Sequence, residues 1–312
     1  MTQTVAVTGA TGFIGRHVVE HLGRAGWRVR VLTRRLPQFP DVAVEAVIGA
    51  LDDPRALARL VDGADAIVHV AGLVKARSRA EFFAANATGT GNLAAAARES
   101  GGRPRFVLVS SLAAREPQLS DYAASKRAGE TELARCGDGL SWSVLRPPAV
   151  YGPGDREILT FFRALWRGIA LLPTPRNGRL SLIHAADLAA AATALAESPG
   201  PAGEVYEVDD GHAGGYRWEE MADVAARHLA VRPLRIRVPP PLLVALAHAS
   251  AAGHRLAGSP AMLTPGKARE ILHRDWVCRD GRLAAAAGWH PRIGLDEGVA
   301  ETIAWYRKNG WL

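Results

Sequence analysis

The chain has 312 residues, 48% of them hydrophobic and 22% charged, with a formal net charge of +7 and a sequence pI near 9.9. That length supports one large domain or two closely joined ones with a sizeable core. The basic excess would suit a nucleic-acid binder. However, the 38 Lys and Arg are spread along the chain with no RNA-type or helix-turn-helix motif, so the excess reads as Arg usage in an Ala- and Arg-rich composition and no nucleic-acid partner is expected. Cys136 and Cys278 have neither metal nor disulfide-framework spacing, which fits a reducing cytoplasm. Met1 leads directly into a core strand, so no signal peptide is expected and the localisation reads as cytoplasmic.

In chain order, TVAVTGATGFIGRHVVEHLGRAGWRVRVLTRR predicts a buried strand at Val5 to Thr8, a glycine turn, an amphipathic helix from about Ile14 to Gly23, and a second strand at Arg28 to Thr33. In this βαβ unit Gly9 allows the tight turn, Gly12 lets the backbone approach a pyrophosphate, and Gly15 lets the helix pack closely on the sheet. Val42 to Leu51 predicts a third strand, and a helix follows with Asp53 as N-cap before Pro54. Ala66 to Gly72 reads as a buried strand, Ala80 to Ser100 as one long helix, Arg105 to Ser111 as a strand, Tyr122 to Arg135 as a helix, and the run ending at Pro147 and Pro148 as a sixth strand. Such alternation predicts an α/β, doubly wound parallel sheet of Rossmann type, with the ligand at the carboxyl ends of its strands.

Beyond Gly154 the pattern loosens. Strand-like Leu180 to His184, a helix from Asp187 and strand-like Glu204 to Asp210 alternate with loops. The expected organisation is a dinucleotide-binding domain over residues 1–154 and a smaller substrate lobe over 155–312, with segments near 180–210 returning to the sheet. The most apolar stretch, Pro239 to Gly258, contains His248 and His254 and is too polar and too short to span a bilayer. It reads as a buried helix or a cap over an apolar substrate, with shallow membrane contact as the alternative.

Tyr122 and Lys126 stand four apart, so on a helix they share a face. A phenol is a poor acid-base catalyst at neutral pH, and a neighbouring ammonium favours its ionised form. Ser111, ending the preceding strand, is placed to donate a hydrogen bond to an oxygen whose proton Tyr122 exchanges. YxxxK by itself occurs on many solvated helices; the glycine turn and the Ser-ended strand in the right order give it meaning.

With TGATGFIG at Thr8 to Gly15, HVAG at His69 to Gly72, NATGT at Asn86 to Thr90, VSS at Val109 to Ser111, YAASK at Tyr122 to Lys126, LRPPAVYGPGD at Leu145 to Asp155, IHAAD at Ile183 to Asp187 and the tail GWHPRIGLDEGVAETIAWYRKNGWL, the chain resembles the extended short-chain dehydrogenase/reductase family over nearly its whole length. That family includes NAD-dependent epimerases and dehydratases, dihydroflavonol reductases and 3β-hydroxysteroid dehydrogenases. The resemblance implies Tyr122 as catalytic acid-base, Lys126 contacting the nicotinamide ribose, and Ser111 orienting the reacting oxygen. It further implies cofactor contacts from Gly9, Thr11, Gly12, Phe13, Ile14, Gly15, Ala71 and Gly72, and from Pro147 and Val150 beside the nicotinamide.

Departures from the family pattern narrow the expectation. Where NAD-preferring members carry an acidic residue at the end of the second strand, this chain has Thr33 followed by Arg34 and Arg35, which suits a 2′-phosphate and so NADP, with NAD as the alternative. GDLxD is altered to GALDD, leaving Leu51 to offer packing or backbone to adenine. Leu112 and Ala113 follow Ser111 where dehydratases carry Asp and Glu, and Leu180 replaces the diphosphate-binding Arg of many nucleotide-sugar enzymes, with Arg179 one step off. The leading expectation is an NAD(P)-dependent oxidoreductase interconverting a secondary alcohol and a ketone on a moderately large, partly apolar small molecule. An epimerase with the same residues is the alternative, and a non-catalytic nucleotide-binding subunit is a third. No metal site is expected: His184 and Asp187 read as orienting and capping a helix. Lys75, Arg77 and Arg79 read either as a solvated basic loop or as attracting an acidic group, and the tryptophans read as packing residues. No integral membrane segment is expected, and a homodimer is left open.

Overall fold

The computed structural model of the chain describes residues 2–136, 139–173, 178–198 and 200–312. β1 (Thr4–Thr8) is buried along its whole length and runs through the glycine turn into α1 (Phe13–Arg24). The buried stripe of α1, Gly15, Val18, Val19 and Leu22, has the i, i+3, i+4, i+7 spacing that turns one helix face to a sheet. β2 (Arg28–Thr33) and β3 (Val44–Ile48) precede α2 (Pro54–Val61), where Asp53 Oδ1 accepts the Arg55 and Ala56 N–H groups at 3.0 and 3.1 Å. Then come β4 (Ala66–His69), α3 (Arg79–Phe83), a π-turn at Ala84–Thr88, α4 (Gly89–Glu99), β5 (Arg105–Val109), a 3-10 turn at Leu112–Arg115, α5 (Asp121–Ala134) and β6 (Trp142–Arg146). The remainder is β7 (Ala149–Tyr151), α6 (Leu159–Trp166), β8 (Ile169–Pro173), β9 (Arg179–Leu180), β10 (Leu182–His184), α7 (Ala185–Glu197), β11 (Glu204–Glu207), α8 (Trp218–Leu229), β12 (Leu234–Val238), α9 (Pro240–Leu256), α10 (Pro265–Leu272), β13 (Asp275–Trp276), α11 (Arg282–Ala287) and α12 (Leu295–Lys308).

Seven parallel strands form the central sheet in the order β11-β6-β5-β4-β1-β2-β3. This is the Rossmann-type doubly wound fold that the alternation of elements predicts. The order reverses between β1 and β4, whose register pairs Thr8 with His69, so a crevice opens beyond the carboxyl ends of those two strands.

The chain divides into two compact units, Met1–Arg146 with Leu188–Val208 and Asp280–His290, and Pro147–Asp187 with Asp209–Arg279 and Pro291–Leu312. Ile67, Leu93, Phe106, Leu133 and Val144 are central to the core of the first. The second is built on aromatic packing: Phe162 meets the Tyr306 ring edge-on at 5.7 Å, and Trp311 stacks on Tyr306 at the same centroid distance.

Four sequence expectations change. The helix expected over Ala80 to Ser100 is interrupted by the π-turn, which bonding inside the crevice explains below. The strand expected over Leu180 to His184 is two short ones, because Leu180 pairs towards Trp276 and Tyr216 whereas Leu182 to His184 pairs with β7. The stretch expected as a buried helix, α9, buries only Leu243 and Ala247, against Ala268 of α10. Trp166 is 52% exposed rather than packed. Among the described residues no helix is long and apolar enough to cross a membrane.

Asp155, in the second unit, is 3% exposed, and its carboxylate accepts the Glu157 and Ile158 N–H groups. Burial outweighs those bonds and pushes its pKa up to about 6 from 3.8. The folded state therefore holds a proton that the unfolded state has lost, and stability falls as pH rises through that window, the whole penalty being present above about 6. Asp155→Asn keeps an acceptor oxygen without the charge, so its Tm should decline less than the parent's across the window. Parallel profiles would place the loss elsewhere.

Candidate active site

Gly9 has φ +73°, and a Cβ there would stand 2.5 Å from the Ala71 nitrogen; one at Gly15 would stand 2.0 Å from the Gly9 carbonyl oxygen. Both positions thus require glycine, for backbone conformation and for the seating of α1 on the loop. Gly12 is different: only the Gly9 oxygen, at 3.3 Å, lies near its missing Cβ, and Thr11 and Gly12 are exposed, so this edge faces open space. Gly12 is also the N-cap of α1, with no side-chain cap and no acidic residue in the first turn, leaving its N–H donors directed at whatever anion enters. Phe13 and Ile14, half-buried, open that helix. These features fit a dinucleotide pyrophosphate.

A buried polar chain fixes the crevice floor. The Ala71 N–H donates to Thr8 Oγ1 at 3.3 Å, and Thr8 Oγ1 lies 2.5 Å from His69 Nδ1. On the far side His69 Nε2 lies 3.0 Å from Thr90 Oγ1, which donates to the Asn86 carbonyl at 2.8 Å. Thr90 has one hydroxyl proton and gives it to Asn86, so the network assigns the His69 proton to Nε2 and makes Nδ1 the acceptor of the Thr8 hydroxyl. Burial, and then the charge of Lys126, lowers the His69 pKa to about 3, which keeps the ring neutral as this arrangement requires.

The Asn86 side chain clamps the loop after β4, accepting the Leu73 N–H at 2.8 Å and donating to the Leu73 carbonyl at 3.0 Å and to Ser125 Oγ at 2.8 Å. The π-turn carries Asn86 against α5, where a Cβ on Gly129 would come within 2.2 Å of the Asn86 carbonyl oxygen. A regular helix would aim Asn86 elsewhere, and π-turns are common where a helix must present one residue to a site.

α5 begins at Ser120, whose Oγ accepts the Ala123 N–H at 2.9 Å. Tyr122, in its first turn, is half-buried with its ring 6.2 Å from that of Phe82. Lys126, one turn on, is buried; its Nζ donates to the Val109 carbonyl at 2.9 Å and lies 3.4 Å from where a Gly72 Cβ would be. Burial draws its pKa down to about 8, against the opposing pull of Glu130, so the ammonium is charged at neutral pH. Ser111 is half-buried and caps the 3-10 turn by accepting the Ala113 N–H at 3.2 Å. Its neighbour Ser110 is buried and donates to Glu130 at 2.5 Å, and Glu130 also takes a bidentate pair of bonds from Arg146 at 2.9 and 2.5 Å.

At the other end of the crevice Thr33 is buried and its hydroxyl donates to the Arg35 carbonyl at 2.6 Å, leaving Arg34 exposed beside it. Arg16 reaches the same loop, with its guanidinium 5.7 Å from the Phe39 ring. Leu51 packs on Gly89 and accepts Asn92 Nδ2 at 2.9 Å through its carbonyl.

The structure thus gathers the glycine loop, Ala71, Gly72, Ser111, Tyr122 and Lys126 into one unit, whereas Pro147, buried, and Val150, paired with Ile183, belong to the other. Arg77 and Arg79 are ion-paired with Glu81 and Asp121. Asp187 does not cap α7; it accepts the Arg292 and Ile293 N–H groups at 2.9 and 2.8 Å. In the sequence, Thr8, His69, Asn86 and Thr90 are parts of motifs without individual roles, and neither Glu130 nor Arg16 is singled out. The available signal was a histidine inside the otherwise apolar strand AIVHV.

Residues 5–209 match the family described as the NAD dependent epimerase/dehydratase family. The chain belongs to that family. It is an NAD-dependent enzyme of the extended short-chain dehydrogenase/reductase type. It is 44% identical over 311 residues to the ceramide reductase of Caulobacter vibrioides, covering 99% of this chain and 96% of that one. It is 28% identical to the 3 beta-hydroxysteroid dehydrogenase/Delta 5→4-isomerase of Mycobacterium tuberculosis, with 97% and 90% covered. The structure of MoeE5 in complex with UDP-glucuronic acid and NAD superposes with a TM-score of 0.77 at 23% identity, covering 98% of this chain and 99% of that one, a likeness of fold.

Replacing Thr8 by Val removes the donor to His69 Nδ1 and the acceptor of the Ala71 N–H at nearly constant volume. Leaving buried polar groups unpaired should cost roughly 1–3 kcal/mol. Denaturant unfolding should show that loss together with weaker dinucleotide binding; unchanged stability and affinity would remove the network from its structural role.

Proposed function

We propose that the protein is an NADP(H)-dependent oxidoreductase that interconverts a secondary alcohol and a ketone on a long-chain lipid of ceramide type. The observation that carries this reading is the Ser111, Tyr122 and Lys126 set on a complete dinucleotide fold, in a chain 44% identical to a ceramide reductase over 99% of its length. A ceramide-type lipid joins an amide and hydroxyl head to alkyl chains, and its secondary hydroxyl or the corresponding ketone is a group suited to a phenol acid-base. A nicotinamide held by the glycine loop and Lys126 would supply or accept the hydride at the carbinol carbon. Tyr122 gives its hydroxyl proton to the carbonyl oxygen in reduction and takes it back in oxidation, Ser111 donates a hydrogen bond that orients the same oxygen, and Lys126 favours the ionised phenol and would hold the ribose. Leu112 and Ala113 offer no carboxylate for elimination. Leu180 stands where many nucleotide-sugar enzymes place a diphosphate-binding Arg, and the neighbouring Arg179 directs its Nη1 to the Gly214 and Gly215 carbonyls at 3.2 and 3.0 Å, which favours a ketone substrate over a nucleotide sugar.

The cofactor preference follows from the end of β2. Thr33 cannot hold two ribose hydroxyls as a carboxylate does, and the exposed Arg34, with the Arg16 side chain reaching the same loop from α1, supplies positive charge suited to a 2′-phosphate.

Tyr122→Phe should lower turnover of a ketone-bearing ceramide analogue by roughly 10²- to 10⁴-fold while leaving the Kd for NADPH nearly unchanged. In the parent each turnover should consume one NADPH by absorbance. Turnover retained within a few-fold would sink the role of Tyr122, and a protein that purifies with bound NAD(P) and epimerises a nucleotide sugar without net cofactor change would replace the reductase reading altogether.

Fluorescence titration should show tighter binding of NADPH than of NADH, with Arg34→Ala narrowing the gap by about 1–3 kcal/mol. A parent protein that prefers NADH would refute the assignment.

A further inference from the structure

The second unit carries an apolar face that its own core does not use. β8 and β12 pair in parallel with Ile169 opposite Leu234 and Leu171 opposite Ile236, and these four side chains share one face of the ribbon. They are 40%, 67%, 49% and 40% exposed, in that order. The alternate residues Ala170 and Leu172 are buried, so the ribbon packs inward through one face and leaves an all-aliphatic face outward. Arg235 and Arg237, on the inward-alternating positions of β12, pair with Asp223 and Glu219.

β12 continues through Pro239 into α9, where the same division recurs. Leu243 and Ala247 pack on α10, while Leu242, Leu246, Ala249 and Leu256 lie exposed at helical spacing along another stripe. Leu256, at 92%, is among the most exposed large apolar residues described. A stable fold gains nothing from presenting two such surfaces to water, and exposed apolar area of this kind marks a docking surface.

Charge identifies the occupant. From Val224 to Arg269 the chain contains no Asp or Glu; Arg227, Arg235, Arg237 and Lys267 there are paired with Asp296, Asp223, Glu219 and Glu270 from outside the stretch, and the exposed Arg232 and Arg255 add positive charge beyond those pairs. The stretch Ile158 to Ala186, which holds β8, also lacks acidic residues. Exposed Arg167 and Arg232 stand two residues before Ile169 and Leu234, so the parallel register sets both residues at the same end of the aliphatic ribbon. Trp166, 52% exposed, adjoins Arg167. An aliphatic face rimmed by Arg and Trp, on strands that carry no Asp or Glu of their own, is complementary to the interface of an anionic bilayer, where alkyl side chains enter the acyl boundary and cations meet headgroup phosphates. A second copy of this chain would bring the same positive rim against itself.

We propose that the β8–β12 face and the exposed stripe of α9 dock the protein peripherally on anionic lipid membranes. The inference goes beyond the assigned reaction and stands independently of it. A bilayer-resident substrate would make such docking useful, but the geometry and charge are what assign it.

The test is flotation of the full-length protein with vesicles of phosphatidylglycerol and phosphatidylcholine at about one to two, and with phosphatidylcholine alone. The parent should float with the anionic vesicles, less so as salt is raised, and Leu234→Glu or Leu246→Glu should each reduce the bound fraction by roughly tenfold or more. Ala58→Glu, an exposed position on α2 in the first unit with the same charge change, should float as the parent does. Circular dichroism and the Kd for NADPH check that the variants are folded. A parent that stays in the aqueous fraction with both vesicle types overturns the proposal. So does binding that neither Leu234→Glu nor Leu246→Glu weakens, and so does sedimentation showing that these two variants dissociate an oligomer that never binds vesicles. Reduction of a short-chain, water-soluble ketone is measured alongside, so that failure of docking and failure of the reductase reading are seen separately.

Discussion

The site depends on keeping His69 neutral inside the sheet. Its strand lies between β1 and β5, the ring is fully buried, and a charged imidazole there would have no counter-charge, with Lys126 nearby making matters worse. Neutral, the ring has one donor and one acceptor, and the structure supplies one hydroxyl for each. Because hydroxyl protons have a single direction, the chain from Ala71 through Thr8, His69 and Thr90 to Asn86 has one arrangement of donors. That arrangement sets the spacing of the glycine loop, the strand end that follows β4 and the π-turn. The glycines at 9 and 15 then serve a floor whose height is already fixed, which is why a Cβ at either meets backbone rather than a side chain that could move.

Glu130 plays the corresponding part under α5. Its carboxylate is buried and takes three bonds, one from Ser110 on the strand-end loop and two from Arg146 at the close of β6. Such a pair contributes little net stability compared with an apolar replacement, since both charges lose water. Its consequence is registration: removing either partner strands the other, so α5 is held at one height against β5 and β6. Tyr122 and Lys126 ride on that helix, and Ser111 directly follows the residue that Glu130 grips.

Much of this was legible in the sequence for simple reasons. The strands of a parallel sheet read as apolar runs, the glycine turn stands between a strand and a helix, and Asp53 has local capping chemistry, so β1 to β6 and the start of α2 follow from periodicity and punctuation. What escaped was set by tertiary bonding. The π-turn inside Ala80 to Ser100 leaves no periodic trace, because Asn86 is drawn to Leu73 and Ser125, residues distant in sequence. Asp187 looks like a helix cap by position yet serves the Arg292–Ile293 backbone. Pro239 to Gly258 reads as buried because it is apolar, and periodicity cannot report that only one face of α9 finds a partner.

Lys126 shows how the cost of burial becomes a binding device. Its ammonium has three donors, and the Val109 carbonyl accepts one of them. Glu130 stabilises its charge at a distance, but the carboxylate oxygens are engaged by Ser110 and Arg146. The fold therefore holds a cation that is incompletely solvated, which is why burial draws its pKa towards neutrality. Any ligand that brings hydroxyl oxygens to this ammonium restores solvation the protein withholds, and it does so beside Gly72, where the absence of a side chain leaves room for the approach. By supplying those acceptors such a ligand would raise the Lys126 pKa and strengthen the charge that the proposed mechanism places beside Tyr122. On the proposed roles of Lys126 and Tyr122, cofactor recognition and acid-base activation are one electrostatic event on one turn of helix.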